Sequence, residues 1–232
     1  MQDFIQGKLK QTAMKLSDKQ LDMLSIIFAV ATAGILVLTI FLTTGRKSSP
    51  VLTFTPEQLA LIGSADSLMR VLTTEDSLDV EILRRPSDTL SADDIKSDAF
   101  KKLSRLMIST VTAPEHDGVG IAGPQVGINK RVVAVQRFDK EGEPFEIYPN
   151  IRIEEFYGGT VPGDEGCLSV PGKRASVQRY RKIAVSYTDS TTLKTVTDTI
   201  SGFTAVIFQH ETDHLDGILY TDKAETVSVI CE

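Results

Sequence analysis

Two histidines and a glutamate stand together in "QHETDHLDG", residues 209–217. His210 and His214 are four residues apart, and on a helix residues i and i+4 share a face. Both imidazoles can therefore grip one metal ion, with Glu211 beside it as a proton acceptor. The H-E-x-x-H pattern has the spacing of a hydrolytic zinc site. Such a site needs a third protein ligand and one open position. Six residues after His214, where some metalloproteases carry a further histidine, stands Tyr220. Only 18 residues follow His214, too few for another ligand-bearing helix. The third ligand must come from upstream.

Two upstream residues qualify. His116 lies in the polar stretch "APEHDGVG", and Cys167 in "GDEGCLSVPG", which reads as a Gly-rich loop between strands. A thiolate joining two imidazoles suits a transition metal such as Fe(II), Zn or Ni, and not Mg or Ca. The second cysteine, Cys231, is penultimate in the chain and reads as inert. Two cysteines allow one disulfide at most and fit a free or metal-bound thiol better than a disulfide scaffold.

The surrounding elements follow from periodicity and capping. "SGFTAVIFQHETDHLDG" is apolar, helix-length and ends at Gly217, a helix stop. "RVVAVQRF", "FEIYPNIRIEEF", "KIAVSYTD" and "LKTVTDTI" are β-branched or alternating and read as strands. In residues 97–111, Phe100, Leu103, Met107 and Val111 fall on one helical face. "TPEQLALIGSADSLMRVL" opens with Thr55 as N-cap, Pro56 at N1 and Gln58 at N3, a capping box that predicts a helix of about four turns. Strands in the middle with helices at both ends predict an α+β domain.

Composition narrows the partners. Of 232 residues 41% are apolar and 24% charged, enough for a real core. Residues 1–47 carry six Lys/Arg against three Asp/Glu, a balance of +3, so the remainder carries 19 against 28, or −9. An acidic body argues against direct nucleic-acid binding. Residues 23–45 hold no charge, and Leu24–Leu42 are apolar except for Ser25, Thr32 and Thr39. Nineteen residues rising 1.5 Å each reach about 28 Å, the thickness of a bilayer core. The expectation is a single retained membrane anchor over 23–45, preceded by a tail over 1–22. Four lysines before the run against Arg46 and Lys47 after it favour the main domain outside the cytoplasm.

Three motifs in order resemble the peptide deformylase family. "GVGIAGPQVG" (118–127) resembles its G-x-G-[LI]-A-A-x-Q loop, "EGCLS" (165–169) is identical to its E-G-C-L-S, and "QHETDHLDG" matches its Q-H-E-x-D-H-L-x-G. "ILRRPSDTL" and "RASVQRYRKIAVSYTD" also resemble family segments, so the likeness runs from about residue 80 to 224. Gly123, the order of Tyr148–Pro149–Asn150, and Val206 depart from the usual pattern.

The resemblance implies mixed and antiparallel sheets around the C-terminal helix. It implies a catalytic domain over 80–232, with 46–79 as linker and helical extension. It implies Cys167, His210 and His214 as ligands of one divalent transition metal, Fe2+ ahead of Zn2+ or Ni2+. Glu211 would be the acid/base, and Gln125 and the backbone N–H of Leu168 would face the developing oxyanion. Val119, Gly120 and Gly166 would line the groove for an N-formyl-methionyl peptide or nascent chain, which yields formate and free N-terminal methionine. A membrane-surface metallopeptidase and a non-catalytic peptide-binding relative are the rival readings.

Overall fold

Helix Phe203–Leu215, which carries the His-Glu-His motif, has ten of its 13 residues buried, and the rest of the fold is arranged around it. A helix apolar on most sides belongs in the middle of a domain rather than on its surface. The computed structural model describes residues 54–229 and, by itself, Met23. All the elements below lie in one unit, Leu52–Glu232.

In chain order the helices are α1 (Pro56–Ser64), α2 (Ser77–Leu83), α3 (Ala92–Lys96), α4 (Asp98–Val111) and α5 (Phe203–Leu215). The strands are β1 (Gly120–Ala122), β2 (Val132–Gln136), β3 (Phe145–Pro149), β4 (Arg152–Cys167), β5 (Val170–Thr188), β6 (Thr195–Ser201) and β7 (Val227–Val229). One sheet runs β1-β2-β3; the other runs β4-β5-β6, with β7 also on β5, and every strand pair is antiparallel. The α+β class expected from the sequence is what the chain adopts.

Strand β2 shows how the layers are held. Its alternation sends Val132 and Ala134 to one core, with Phe100, Leu103, Met107 and Val111 of α4. Val133 and Val135 go to the other, with Ala205, Ile207, Phe208 and Leu215 of α5. A period of two thus places this sheet between two helices. Helix α4 starts one residue later than its Ser97 N-cap, whose hydroxyl accepts from the Phe100 N–H at 3.1 Å.

Three expectations change. The capping box at Thr55 and Gln58 forms, but α1 stops at Ser64 after nine residues, short of four turns. Its continuation is drawn away by tertiary bonds: Met69 N–H donates to Thr110 Oγ1, Leu72 N–H to Gln125 O, and Thr74 N–H to Ser169 O. Phe54, Ile62 and Met69 are buried against α4, so this stretch packs as part of the domain. Second, the supposed loop around Cys167 is the end of β4, and β4 and β5 run 16 and 19 residues. Third, among the described residues no helix is long and apolar enough to cross a membrane. This overturns the expected anchored location and membrane partner. The run Leu24–Leu42 itself, like Cys231, lies outside the described residues.

The stop after α5 rests on one glycine. Gly217 has φ +74°, and a Cβ there would be driven into the Arg84 carbonyl oxygen. Gly217→Ala is expected to cost about 2 kcal/mol or more, from left-handed strain plus that overlap. A fall in Tm of roughly 4–8 °C checks it; an unchanged Tm contradicts it.

Candidate active site

Strand periodicity turns Glu165 and Cys167 to the same face of β4, towards α5. There the Cys167 sulfur lies 3.2 Å from His214 Nε2, and the ligand atoms of Cys167, His210 and His214 are all within 4.8 Å of one another. A tetrahedral ion with bonds of about 2.3 Å to sulfur and about 2.1 Å to nitrogen would set S···N at about 3.6 Å. One sulfur and two imidazole nitrogens at this spacing fit a transition metal. His116, the other upstream candidate, has Nδ1 turned 2.6 Å from the Thr110 carbonyl and is not in this group.

The ligands are held by a buried ionic chain. His210 Nδ1 lies 2.8 Å from Glu165 Oε2, which leaves Nε2 for the metal side. Arg179 grips Glu165 through Nε at 2.7 Å and Nη2 at 3.0 Å, and Asp213 through Nη1 at 2.6 Å. Lys223 Nζ donates to the other Asp213 oxygen at 2.7 Å. Burial opposes charge on Glu165, but its bonds to His210 and Arg179 outweigh that and hold its pKa at about 2. Burial and nearby positive charge push His214 well below the usual histidine range, which keeps it neutral and ready to ligate. For His210, burial is outweighed by hydrogen bonding to Cys167 and Glu165, and its proton is held more tightly than usual. A carboxylate on the distal nitrogen of a metal-binding histidine fixes the ring's orientation and raises its basicity.

Glu211 is 4% exposed, and its Oε2 is buried with no hydrogen-bond partner. Burial pushes its pKa up to about 7. An unpartnered carboxylate oxygen in such a place fits a site built around a further group, such as a metal and its water. Opposite lies Gly120: a Cβ there would stand 2.5 Å from Glu211 Oε1 and 2.8 Å from Ile207 Cγ2. Glycine is required so that β1 can approach the carboxylate.

Gln125 sits in a short 3-10 turn, Gly123–Val126, and is 2% exposed. Its Oε1 accepts the Ala122 N–H at 2.8 Å, which fixes the amide plane. One Nε2 hydrogen goes to Ser169 Oγ at 3.2 Å, and the other points towards Cys167 Sγ at 3.5 Å. The amide therefore presents a donor to the space beside the sulfur. Gly123 has its own reason: a Cβ would meet the Ile128 and Lys130 carbonyl oxygens at 2.5 and 2.7 Å.

These groups face a cleft of about 590 Å3. Val119, Gly120, Gln125, Gly166, Cys167, Leu168, His210 and Glu211 all line it, and His214 lies behind them. Leu168 occupies the tight turn joining β4 to β5. Gly166 faces open space, with nothing nearer than 3.7 Å to a Cβ. Phe203, Val206 and Ile207 give the cleft an apolar side. Sequence reading assigned no role to Glu165, Arg179, Asp213 or Ser169. Glu165 alone had a local signal, because a carboxylate two residues before a ligand on a strand shares its face.

Residues 69–229 match the family model described as "Polypeptide deformylase". A peptide deformylase of Symbiobacterium thermophilum is 40% identical over 159 residues, which are 66% of this chain and 70% of that protein. Two solved structures of a class I type b peptide deformylase from Acinetobacter baumannii are similar. The one with actinonin bound has 34% identity and a TM-score of 0.60, covering 69% of this chain and 100% of that one. The one with Met-Ala-Ser bound has 33% identity and a TM-score of 0.59, covering 68% and 99%. With the Cys-His-His group, the buried glutamate and the matched family model in agreement, this chain belongs to the polypeptide deformylase family.

Proposed function

We propose that the chain is a metal-dependent amidohydrolase that removes the formyl group from N-formyl-methionyl peptides, giving formate and a free N-terminal methionine. The observation that carries this is the placement of Glu211. Its buried carboxylate stands at the cleft beside Cys167 and His210 without being one of the three ligands. The A. baumannii relative solved with Met-Ala-Ser bound supports a peptide that begins with a free methionine as the product.

The roles follow from the residues. Cys167, His210 and His214 would hold one divalent ion, Fe2+ ahead of Zn2+ or Ni2+, all of which a thiolate with two imidazoles accepts. Such an ion supplies Lewis acidity and an acidified water. Glu211, a buried carboxylate with no hydrogen-bond partner on Oε2, would take the water proton and return it to the leaving amine. Gln125 Nε2 and the Leu168 N–H donate to the formyl oxygen as charge develops on it. Val119, Gly120 and Gly166 admit the peptide backbone, and Phe203, Val206 and Ile207 offer an apolar surface to the methionine side chain. Residues 80–232 carry all of these groups. The preceding 46–79 act as an extension, whose Leu72 and Thr74 N–H groups brace the carbonyls of Gln125 and Ser169.

Gly120→Ala is expected to lower kcat/KM about 100-fold, because its methyl group displaces the Glu211 carboxylate by an ångström or more. Steady-state kinetics with metal content measured alongside checks this; wild-type kinetics would contradict the close approach. The assignment itself is tested with formyl-Met-Ala-Ser, Met-Ala-Ser and an N-blocked peptide offering only internal amides. Formate and intact Met-Ala-Ser from the first, with the other two untouched, support it. Cleavage of an internal amide instead would make the chain a peptidase.

A further inference from the structure

Residues 69–74 form a strap across the elements that carry the cleft. Met69 N–H donates to Thr110 Oγ1 of α4 at 2.9 Å, Leu72 N–H to the Gln125 carbonyl at 2.8 Å, and Thr74 N–H to the Ser169 carbonyl at 2.8 Å. The last two bonds converge on one side chain, because Ser169 Oγ accepts from Gln125 Nε2 at 3.2 Å. The strap therefore holds Gln125 twice, directly at its carbonyl and, through Ser169, at its amide nitrogen. Helix α1 closes on the same turn: a Cβ at Gly127, which ends the turn with φ +80°, would stand 2.9 Å from Leu61 Cδ2.

The strap is itself tied down by one carboxylate. Between Leu72 and Thr74, the Thr73 N–H donates instead to Asp79 Oδ2 at 3.0 Å. Asp79 lies in the first turn of α2 and is 2% exposed. It also receives both ends of the Arg70 fork, Nη1 on Oδ2 at 2.7 Å and Nη2 on Oδ1 at 2.5 Å. A carboxylate buried this deeply needs charged and N–H partners, and a bidentate guanidinium adds direction as well as charge. Asp79 thus fixes the strap at Arg70 and Thr73, on either side of the Leu72 N–H that meets Gln125. The Arg70 side chain is 66% exposed, so it can be shortened without opening a hole in the core.

None of residues 69–79 lines the cleft, so position is what they supply. A donor aimed at developing charge works only from a fixed place, and a shift of about an ångström is enough to cost on the order of 100-fold in rate. We infer that Arg70 and Asp79 are positioning residues for catalysis, whose clasp holds the strap that sets the Gln125 amide against the formyl oxygen. This rests on the deformylase reading of the cleft, in which Gln125 donates to that oxygen, and extends it to a pair of residues remote from the lining.

The test measures kcat and KM for formate release from formyl-Met-Ala-Ser by the metal-loaded full chain. Arg70→Ala and Asp79→Asn are each expected to lower kcat about 10- to 100-fold, short of outright loss of the donor, with KM within about threefold and metal content unchanged. A double-variant cycle with Gln125→Ala separates positioning from a general loss of structure. If the clasp acts through Gln125, adding Arg70→Ala to Gln125→Ala should cost less than about threefold more. A loss that multiplies in full onto that of Gln125→Ala overturns the inference. So does an unchanged kcat in Arg70→Ala, or a loss seen only in KM or in metal content. Arg70→Ala decides alone if Asp79→Asn does not fold. Absence of formate with the unaltered chain overturns the deformylase reading itself.

Discussion

Glu211→Ala is expected to lower turnover by roughly 100- to 10,000-fold, the range for a positioned general acid–base, while the protein keeps its metal. The two halves of this result have separate causes. The candidate ligand atoms belong to Cys167, His210 and His214, and the chain that orients His210 runs through Glu165 and Arg179, none of which needs Glu211. The Glu211 carboxylate makes no hydrogen bond through Oε2 and is charged against the opposition of burial. Its removal therefore takes away the proton carrier without unpairing a neighbour, and Tm should hold. Metal analysis and formate release on the same sample check this together. Full activity in the alanine variant would sink the role given to Glu211. Loss of metal would show that the carboxylate belongs to the ligand set.

Gln125 carries the second large effect. Losing one oxyanion donor typically costs about 100- to 1,000-fold in kcat, and Gln125→Glu separates that from a structural role. The glutamate keeps a side-chain oxygen for the Ala122 N–H, now bonded to Gln125 Oε1 at 2.8 Å. It replaces the donor beside Cys167 with a second acceptor. If Gln125 serves only to hold the turn Gly123–Val126, the glutamate variant should stay within a few-fold of wild type. If it donates to the formyl oxygen, kcat should fall by at least the alanine value with KM changed little. Gly120→Ala complements both, because it removes no catalytic group and moves one of them, the Glu211 carboxylate.

The helix that bears the chemistry was legible because its signals are local: a period of four for the histidines, a stop at Gly217, and apolar residues between. The same holds for the face of α4 and the capping box at Thr55. Strand β4 hid its end for a physical reason. Residues 158–162 are exposed, so no hydrophobic alternation marks them, and three register irregularities, at Ile153/Glu155, Tyr157/Thr160 and Glu165/Cys167, interrupt the pairing. Backbone pairing with β5 makes that strand, and pairing between segments leaves little trace in either one. The Glu165–Arg179–Asp213 chain was hidden too, since its members are 14 and 34 residues apart and meet only when β4, β5 and α5 come together. Cys167 stood in the sequence as one of two upstream candidates; its position at a strand end, beside Gln125 and a two-residue turn, came from the fold.

The central claim is that the Cys167–His210–His214 group holds the ion on which deformylation depends. Its most direct test is formate release from formyl-Met-Ala-Ser by the full chain before chelation, after removal of the metal, and after return of one equivalent of Fe2+ under anaerobic conditions. The account predicts loss of activity with the metal, recovery at one ion per chain, and no recovery in a Cys167→Ala variant. Undiminished formate release from metal-free protein, or full recovery in that variant, would contradict it.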